Sequence, residues 1–365
     1  HAERFLRSLL LLPLFVLGVQ GWLFFRLPHP DDSRPDNAAL VAAGEFLNHY
    51  GGSPFAHLIL AGDKQLFYAA DERVLIPYAR IRHRLVALGD PDGDSAVFRD
   101  AIEAFYNFAD QHDLEPVFYE VSETCLGLYH DLGFKLFKLG ERALVSTATF
   151  TLAGKQRGSL RRSVNQAERA GVSMMLEHPL SEALWQELQA VSDAWLDSKH
   201  TAEKGFSLGR FDRDYLQRSP LALIRQGEQV VAFASLMPAY GSREQLAIDL
   251  MRSLPTAPKG SMDFLFVRLI EHARDSGYRY FELGVAPLSG VGQSRYACVS
   301  EKVARLAFEH GNRFYSYKGL RSFKEKFGPE WQGVYLAYRS RSPLPGLLLD
   351  IAALIGGGYR RLMSR

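Results

Sequence analysis

The sequence predicts a mixed α/β protein in α+β layers: two successive domains of alternating strands and helices behind one membrane-spanning helix. Three observations predict it. Residues 8–25 (SLLLLPLFVLGVQGWLFF) carry no charge, and roughly 17–25 apolar residues span a bilayer as a helix. From residue 38 onward, short alternating runs trade places with runs of helical spacing. The 365 residues, 47% of them apolar and 23% charged, are enough for two packed domains of roughly 100–200 residues each.

The membrane segment comes first, residues 1–27. Arg4 and Arg7 flank one end and Trp22 and Arg26 the other, where interfacial anchors belong. No small-residue cleavage site follows. A chain that starts at His1 and enters apolar sequence at once reads as part of a longer protein. Residues 28–37 (PHPDDSRPDN) are a polar linker.

The first domain occupies residues 38–150. A helix is expected from Ala38 to Tyr50, stopped by Gly51-Gly52. Strands are expected at Ala56–Leu60, Gln65–Ala70, Val74–Arg80 and Leu85–Gly89. A helix over Asp94–His112, a strand at Val117–Val121, a helix capped by Ser122 and a strand from Lys135 follow. The second domain occupies residues 151–342. Its helices are Gly158–Gly171, Ser181–Lys199 with Ser181 as cap, and Ser261–Ser276 closed by Gly277; its strands include Gln229–Met237, Glu244–Met251 and Tyr278–Val285. Residues 343–365 form an apolar, then basic, tail that suits either a membrane surface or packing on its own domain.

Net charge is +2, so charge balance announces no nucleic-acid partner. The two cysteines, Cys125 and Cys298, form neither a disulfide framework nor a zinc motif. The eleven histidines show no metal-ligand spacing, so no metal is expected.

Two segments resemble the GNAT acyltransferase fold. Residues 128–135 (LYHDLGFK) look like its LY…LGF signature, and the order strand, loop, helix, glycine, strand over residues 246–285 resembles its central unit. That family grips the pyrophosphate of acetyl-CoA with a basic-Gly-x-Gly-x-Gly loop at a helix N-terminus. Lys259-Gly260 matches the first pair, but Met262 and Phe264 stand in place of the later glycines. Their bulk denies the backbone approach that a pyrophosphate needs. The first domain has GDPDGD at residues 89–94 in the comparable place, which repels an anion. The resemblance therefore implies tandem GNAT-like domains without a CoA cofactor, the pattern of Fem-like transferases, which take activated amino acids from tRNA.

Four stretches, residues 158–171 (GSLRRSVNQAERAG), 203–212 (EKGFSLGRFD), 281–289 (FELGVAPLS) and 319–331 (GLRSFKEKFGPEW), resemble the bacterial phosphatidylglycerol aminoacyltransferases of the multiple peptide resistance factor family, nearest the alanyl enzymes of pseudomonads. The resemblance implies an aminoacyl-tRNA donor, alanyl-tRNA favoured over lysyl-tRNA, and phosphatidylglycerol as acceptor. It implies the N-terminal transmembrane region of the same full-length protein as a partner. It places the catalytic domains on the cytoplasmic side of the bacterial inner membrane, lowering membrane negative charge and giving resistance to cationic peptides. The alternatives are a Fem-like enzyme acting on a peptidoglycan precursor, an acetyl-CoA enzyme, and a non-catalytic membrane-surface or tRNA-binding module.

Ester exchange from tRNA to a lipid hydroxyl needs positioning, a proton acceptor and oxyanion donors. Asp249 lies in an apolar strand, where a carboxylate is costly unless paired or functional. It suits a base or a clamp for the α-ammonium; the plainer alternative is an ion pair, with Arg252 or another residue. In the functional reading Arg252 holds a phosphate and Lys324 sits near the reacting carbonyl. Lys318, Arg321 and Lys326 join Lys324 as a tRNA or lipid-phosphate surface, or form a solvated helix face. Glu282, Glu301 and Arg305 are further substrate-binding candidates, and Lys302 lies on the same helix as the last two. Arg157, Arg161, Arg162 and Arg169 are candidates for tRNA phosphates, or a solvated face. Gly205-Phe206-Ser207-Leu208-Gly209 fits the nucleophile-elbow pattern, but polar sequence precedes it where a buried strand is required. Gly205, Phe206, Ser207 and Arg210 are therefore read as a substrate-lining loop whose glycines allow close approach.

Overall fold

The structure is a computed structural model that describes residues 33–291, 317–339 and 343–359, without the side chains of residues 317 and 318. The membrane segment, the linker up to residue 32, Glu301, Lys302 and Arg305 lie outside the described residues. Among the described residues no helix is long and apolar enough to cross a membrane.

Helix α1 (Asn37–Tyr50) starts on Asp36, whose carboxylate accepts the Ala39 amide at 2.8 Å, and stops at Gly51. A 3-10 helix (Pro54–Ala61) leads to strands β1 (Gln65–Ala69), β2 (Val74–Ile81), β3 (Arg84–Leu88) and β4 (Asp92–Gly93). Then come α2 (Phe98–Gln111), β5 (Glu115–Ser122), α3 (Leu126–Asp131) and β6 (Lys135–Ser146). The second half runs α4 (Gly158–Arg169), β7 (Val172–Glu177), α5 (Glu182–Lys199), α6 (Arg213–Leu216), β8 (Leu221–Gln226), β9 (Gln229–Pro238), β10 (Gln245–Ser253), α7 (Ser261–Asp275) and β11 (Tyr280–Pro287). It continues with α8 (Tyr317–Glu325), β12 (Glu330–Tyr338) and α9 (Leu344–Ile355).

Two local expectations are corrected. Residues 56–60 are helical, not a strand: Pro54 fixes the first turn and Gly62, at φ 67°, ends it, while every residue from Ala56 to Ala61 is buried. A continuous apolar run has no period to betray its state. Ser122 does not cap the next helix with its side chain; its hydroxyl meets that of Thr124, and its amide donates to Asp90.

One continuous sheet runs through both halves, in the order β1-β2-β3-β5-β12-β6-β11-β10-β9-β8-β7, with β4 beside β2. β12, late in the chain, is inserted antiparallel between β5 and β6, so the halves share hydrogen bonds rather than merely touching. Its centre is irregular. β10 and β11 pair in parallel only from Gln245/Tyr280 to Ala247/Glu282, and each slips register there, between Ile248 and Met251 and between Glu282 and Val285. β5 bulges at Glu120, which sits at φ 67°. Bulges re-aim side chains and break pairing, and these three surround the point where β10 and β11 part.

Candidate active site

Asp249 lies in the β10 bulge, partly open to solvent, with both oxygens held. The Gly209 amide donates to Oδ1 at 2.7 Å and the buried Tyr215 hydroxyl to Oδ2 at 2.8 Å. Burial raises the Asp249 pKa above the ordinary carboxylate value; these two hydrogen bonds and the charges of Lys64 and Arg252 oppose it. Residues 205–210 close over this carboxylate. A Cβ on Gly209 would stand 1.7 Å from Asp249 Oδ2, so only glycine fits there.

Lys64 pins the same loop from the first half. It is 0% exposed, its Nζ donating to Asp63 at 2.5 Å and to the Phe206 carbonyl at 2.8 Å. Burial lowers its pKa, and Asp63 works against that. Asp63 in turn accepts the Phe206 amide at 2.8 Å, which holds Phe206 at φ 62°. Arg210 reaches back to the Ala61 carbonyl, and the Gly205 amide donates to Ile355 at the end of α9.

A second charged group lies across the loop. The Tyr119 hydroxyl faces the buried Ser207, and the next residue, Glu120, faces Arg142 at 3.9 Å. Arg142 Nε stands 3.0 Å from Glu282, which is 0% exposed and whose carboxylate oxygens accept no hydrogen bond within the described residues. Lys324 donates to the Val285 carbonyl at 2.8 Å. Burial lowers its pKa to about 8, while Glu282 and Glu120 counteract it. Burial also pushes Glu120 up to about 7. Opposed shifts in adjoining groups make this cluster a candidate for acid–base work.

The sequence candidates are therefore distributed unevenly. Asp249, Gly205, Phe206, Ser207, Arg210, Glu282 and Lys324 line this centre. Arg252 does not bond Asp249: it pairs with Glu203 at 3.1 Å and stacks on Trp195, its guanidinium carbon 4.1 Å from the ring centre. Arg321 is bonded to Glu141 and Ser289 and lies over Trp331. Lys326 holds both oxygens of Asp263 at 3.1 Å. Lys318 belongs to α8, but its side chain is not described. Arg157 donates to the Lys326 carbonyl and Arg161 to those of Leu152 and Gly154, so both tie backbone; Arg162 and Arg169 are exposed. No strand precedes Ser207, so the hydrolase-elbow geometry is absent. Sequence reasoning missed Asp63, Lys64, Tyr119, Glu120, Arg142 and Tyr215. Only Asp63 and Lys64 left a trace, as two charges directly after a run closed by Gly62.

At the N-terminus of α7, a depression of about 310 Å³ is lined by residues including Gly260, Met262, Asp263, Phe323 and Lys326. A Cβ on Gly260 would meet the Ser163 carbonyl at 2.2 Å, so only glycine fits against α4 at that position.

The family described as phosphatidylglycerol lysyltransferase, C-terminal, matches residues 44–338. The chain is 40% identical over 351 residues to the phosphatidylglycerol lysyltransferase of Bacillus subtilis (strain 168), covering 96% of this chain and 40% of that protein. It is 36% identical to that of Staphylococcus aureus (strain MSSA476), covering 92% of this chain and 39% of that protein. The chain thus spans about 40% of the length of these curated relatives. The structure of L-PGS from Bacillus licheniformis superposes with a TM-score of 0.77 at 42% identity, covering 90% of this chain and 99% of that one. FemX shares the fold alone, at a TM-score of 0.55 and 10% identity over 85% of this chain and 98% of that one. With its family pattern running from the middle of α1 through β12, the chain belongs to the phosphatidylglycerol lysyltransferase C-terminal family.

Proposed function

We propose that this chain is the catalytic portion of a membrane enzyme that moves an amino acid from aminoacyl-tRNA to the glycerol hydroxyl of phosphatidylglycerol. Family membership supports the lipid acceptor. The observation that carries the tRNA donor is the carboxylate that stands where the GNAT family grips the CoA pyrophosphate. The Asp263 carboxylate, clamped by Lys326, occupies the first turn of α7. A pyrophosphate needs open amides there, and a carboxylate repels it. No CoA cofactor is therefore part of the reading.

In the transfer, the lipid hydroxyl oxygen bonds to the aminoacyl carbonyl carbon and the bond to the terminal ribose oxygen breaks. The hydroxyl proton passes to a base, and the departing ribose oxygen gains a proton. Asp249 serves as that base or as the clamp for the α-ammonium. Lys324, with its pKa near 8, is matched to proton exchange at neutral pH. Arg252, braced by Glu203 and Trp195, presents its charge to a phosphate. The N-terminal apolar segment holds the domains at the cytoplasmic face of the inner membrane, where charged tRNA is found; there the product lowers negative surface charge and gives resistance to cationic peptides. Alanine is the amino acid favoured by the sequence resemblance, and lysine is the one in the relatives' names.

The test supplies the protein with phosphatidylglycerol vesicles and, in separate arms, alanyl-tRNA, lysyl-tRNA and acetyl-CoA. Labelled lipid formed from a charged tRNA alone supports the reading, and the ratio of the two rates assigns the amino acid. Product from acetyl-CoA, or from no donor, overturns it.

A further inference from the structure

Helix α9 holds twelve residues, LPGLLLDIAALI, of which one is ionisable. That one, Asp350, is 0% exposed and faces inward. It pairs with the buried Arg84 of β3, has Arg82 at 3.7 Å and accepts the Tyr359 hydroxyl. Leu347 and Ile351 join the large core on the same side. The inner face is therefore fixed on the sheet by both charge and packing. The outer face has no polar side chain. Pro345, Leu349 and Ala352 are exposed at spacings of four and three residues, one stripe of the helix, and Leu349 is 57% exposed, the most of any large apolar side chain described.

A leucine that open on a helix whose other side is locked has not been left out by loose packing. Residues 351–365 contain no acid, and Arg360, Arg361 and Arg365 follow the helix. An apolar stripe followed in the sequence by basic residues complements an anionic lipid surface, in which such helices lie about 5–10 Å deep at the headgroup boundary. The C-terminal end of α9 also touches the site: the Ile355 carbonyl accepts the Gly205 amide at 3.0 Å, at the root of the loop that covers Asp249. That loop exposes its own apolar residue, Leu208.

We propose that the outer stripe of α9 is a docking surface for an anionic bilayer, which sets the loop at residues 205–210 against the leaflet. The inference deepens the lipid-acceptor reading and rests on it for the choice of leaflet. The partner is the bilayer surface itself; a second copy of the chain, or residues 1–32 of the same chain, would be competing occupants.

The test uses the full chain, reconstituted in vesicles of phosphatidylglycerol and phosphatidylcholine, with Cys125 and Cys298 replaced by Ser. One environment-sensitive fluorophore is placed at L349C or, as a control, at M175C on the exposed edge strand β7. Nitroxide lipids labelled near the headgroup should quench the probe at position 349 and leave position 175 unquenched, and R360Q/R361Q should weaken the quenching at raised salt. No quenching at 349, or equal quenching at both positions, overturns the proposal. So does a probe at 349 that is equally shielded in lipid-free detergent, since a protein segment then covers it. Transfer to detergent-dispersed phosphatidylglycerol is measured on the same samples. Transfer without quenching rejects the docking surface alone; quenching without transfer rejects the lipid-acceptor reading alone.

Discussion

The amide of Gly209 lies 2.7 Å from Asp249 Oδ1, and its Cα leaves no room for a side chain: a Cβ would stand 1.7 Å from Oδ2 and 2.8 Å from the Tyr215 ring. The loop therefore grips the carboxylate by backbone, at a place where one methyl group would push it away. G209A should cost about 1–3 kcal/mol of stability through overpacking. It should cost roughly a hundredfold in transfer rate, because misplacing a reacting group by about 1 Å does that. A thermal melt and single-turnover transfer separate the two effects; unchanged turnover would remove Asp249 geometry from the mechanism.

Tyr215 bears on the protonation of the same carboxylate. Its hydroxyl bond lowers the Asp249 pKa against the upward push of burial. Y215F removes that bond, so the Asp249 pKa rises further and the carboxylate is lost at higher pH. The acidic limb of kcat/KM should shift to higher pH, with a larger loss at pH 6 than at pH 8. A uniform loss across pH would assign Tyr215 to packing alone.

How much of this site was legible depended on distance along the chain. The glycines at 205 and 209 and the carboxylate in an apolar strand were visible, because each is a local contradiction of residue type and context. The Ser181 cap and the Gly277 stop were visible for the same reason, and the structure has both. Tyr119, Glu120 and Arg142 were not. They reach the site from the first half, and nothing local distinguishes a strand residue that faces a site from one that faces solvent. The placement of β12 between β5 and β6 is a long-range choice, settled by which sheet edges were left to pair. The 3-10 helix at residues 54–61 was misread because a uniformly buried run has no periodicity.

Lys64 makes the dependence of the second half on the first measurable. K64M would strand Asp63 without its ion pair and the Phe206 carbonyl without its donor. Removing one partner of a buried pair costs about 3–5 kcal/mol. The double variant D63N/K64M should recover part of that loss, whereas two independent sites would simply add. Chemical denaturation of the four proteins in the cycle gives the coupling energy, and a value near zero would show that the two residues act separately.

Asp92 predicts how stability varies with pH. In the unfolded chain it ionises near 3.8, while in the fold burial holds its proton up to about 8. Between those values the folded state binds more proton, so this contribution is full below about pH 4 and is lost as pH rises toward 8. Stability measured by denaturant should fall across that window. D92N, which cannot ionise, should flatten the fall and be the more stable protein at pH 8. A parallel pair of curves would exclude Asp92 as the source.

The arginines near α4 separate a phosphate contact from a structural tie. Arg157 is spent on the Lys326 carbonyl, close behind Lys324, and its guanidinium lies against Gly328. Arg162 and Arg169 are exposed on α4. Each phosphate neutralised contributes about 0.7–0.9 to the slope of log affinity against log salt. R162A and R169A should therefore each flatten the salt dependence of tRNA binding by roughly that amount while leaving the melting temperature in place. R157A should do the reverse, lowering stability and transfer while keeping the slope, because it loosens the turn that carries Lys324 and Lys326. A slope change in R157A without loss of stability would make Arg157 a phosphate ligand after all, and a salt-independent affinity in the parent would remove the whole α4 surface from tRNA binding.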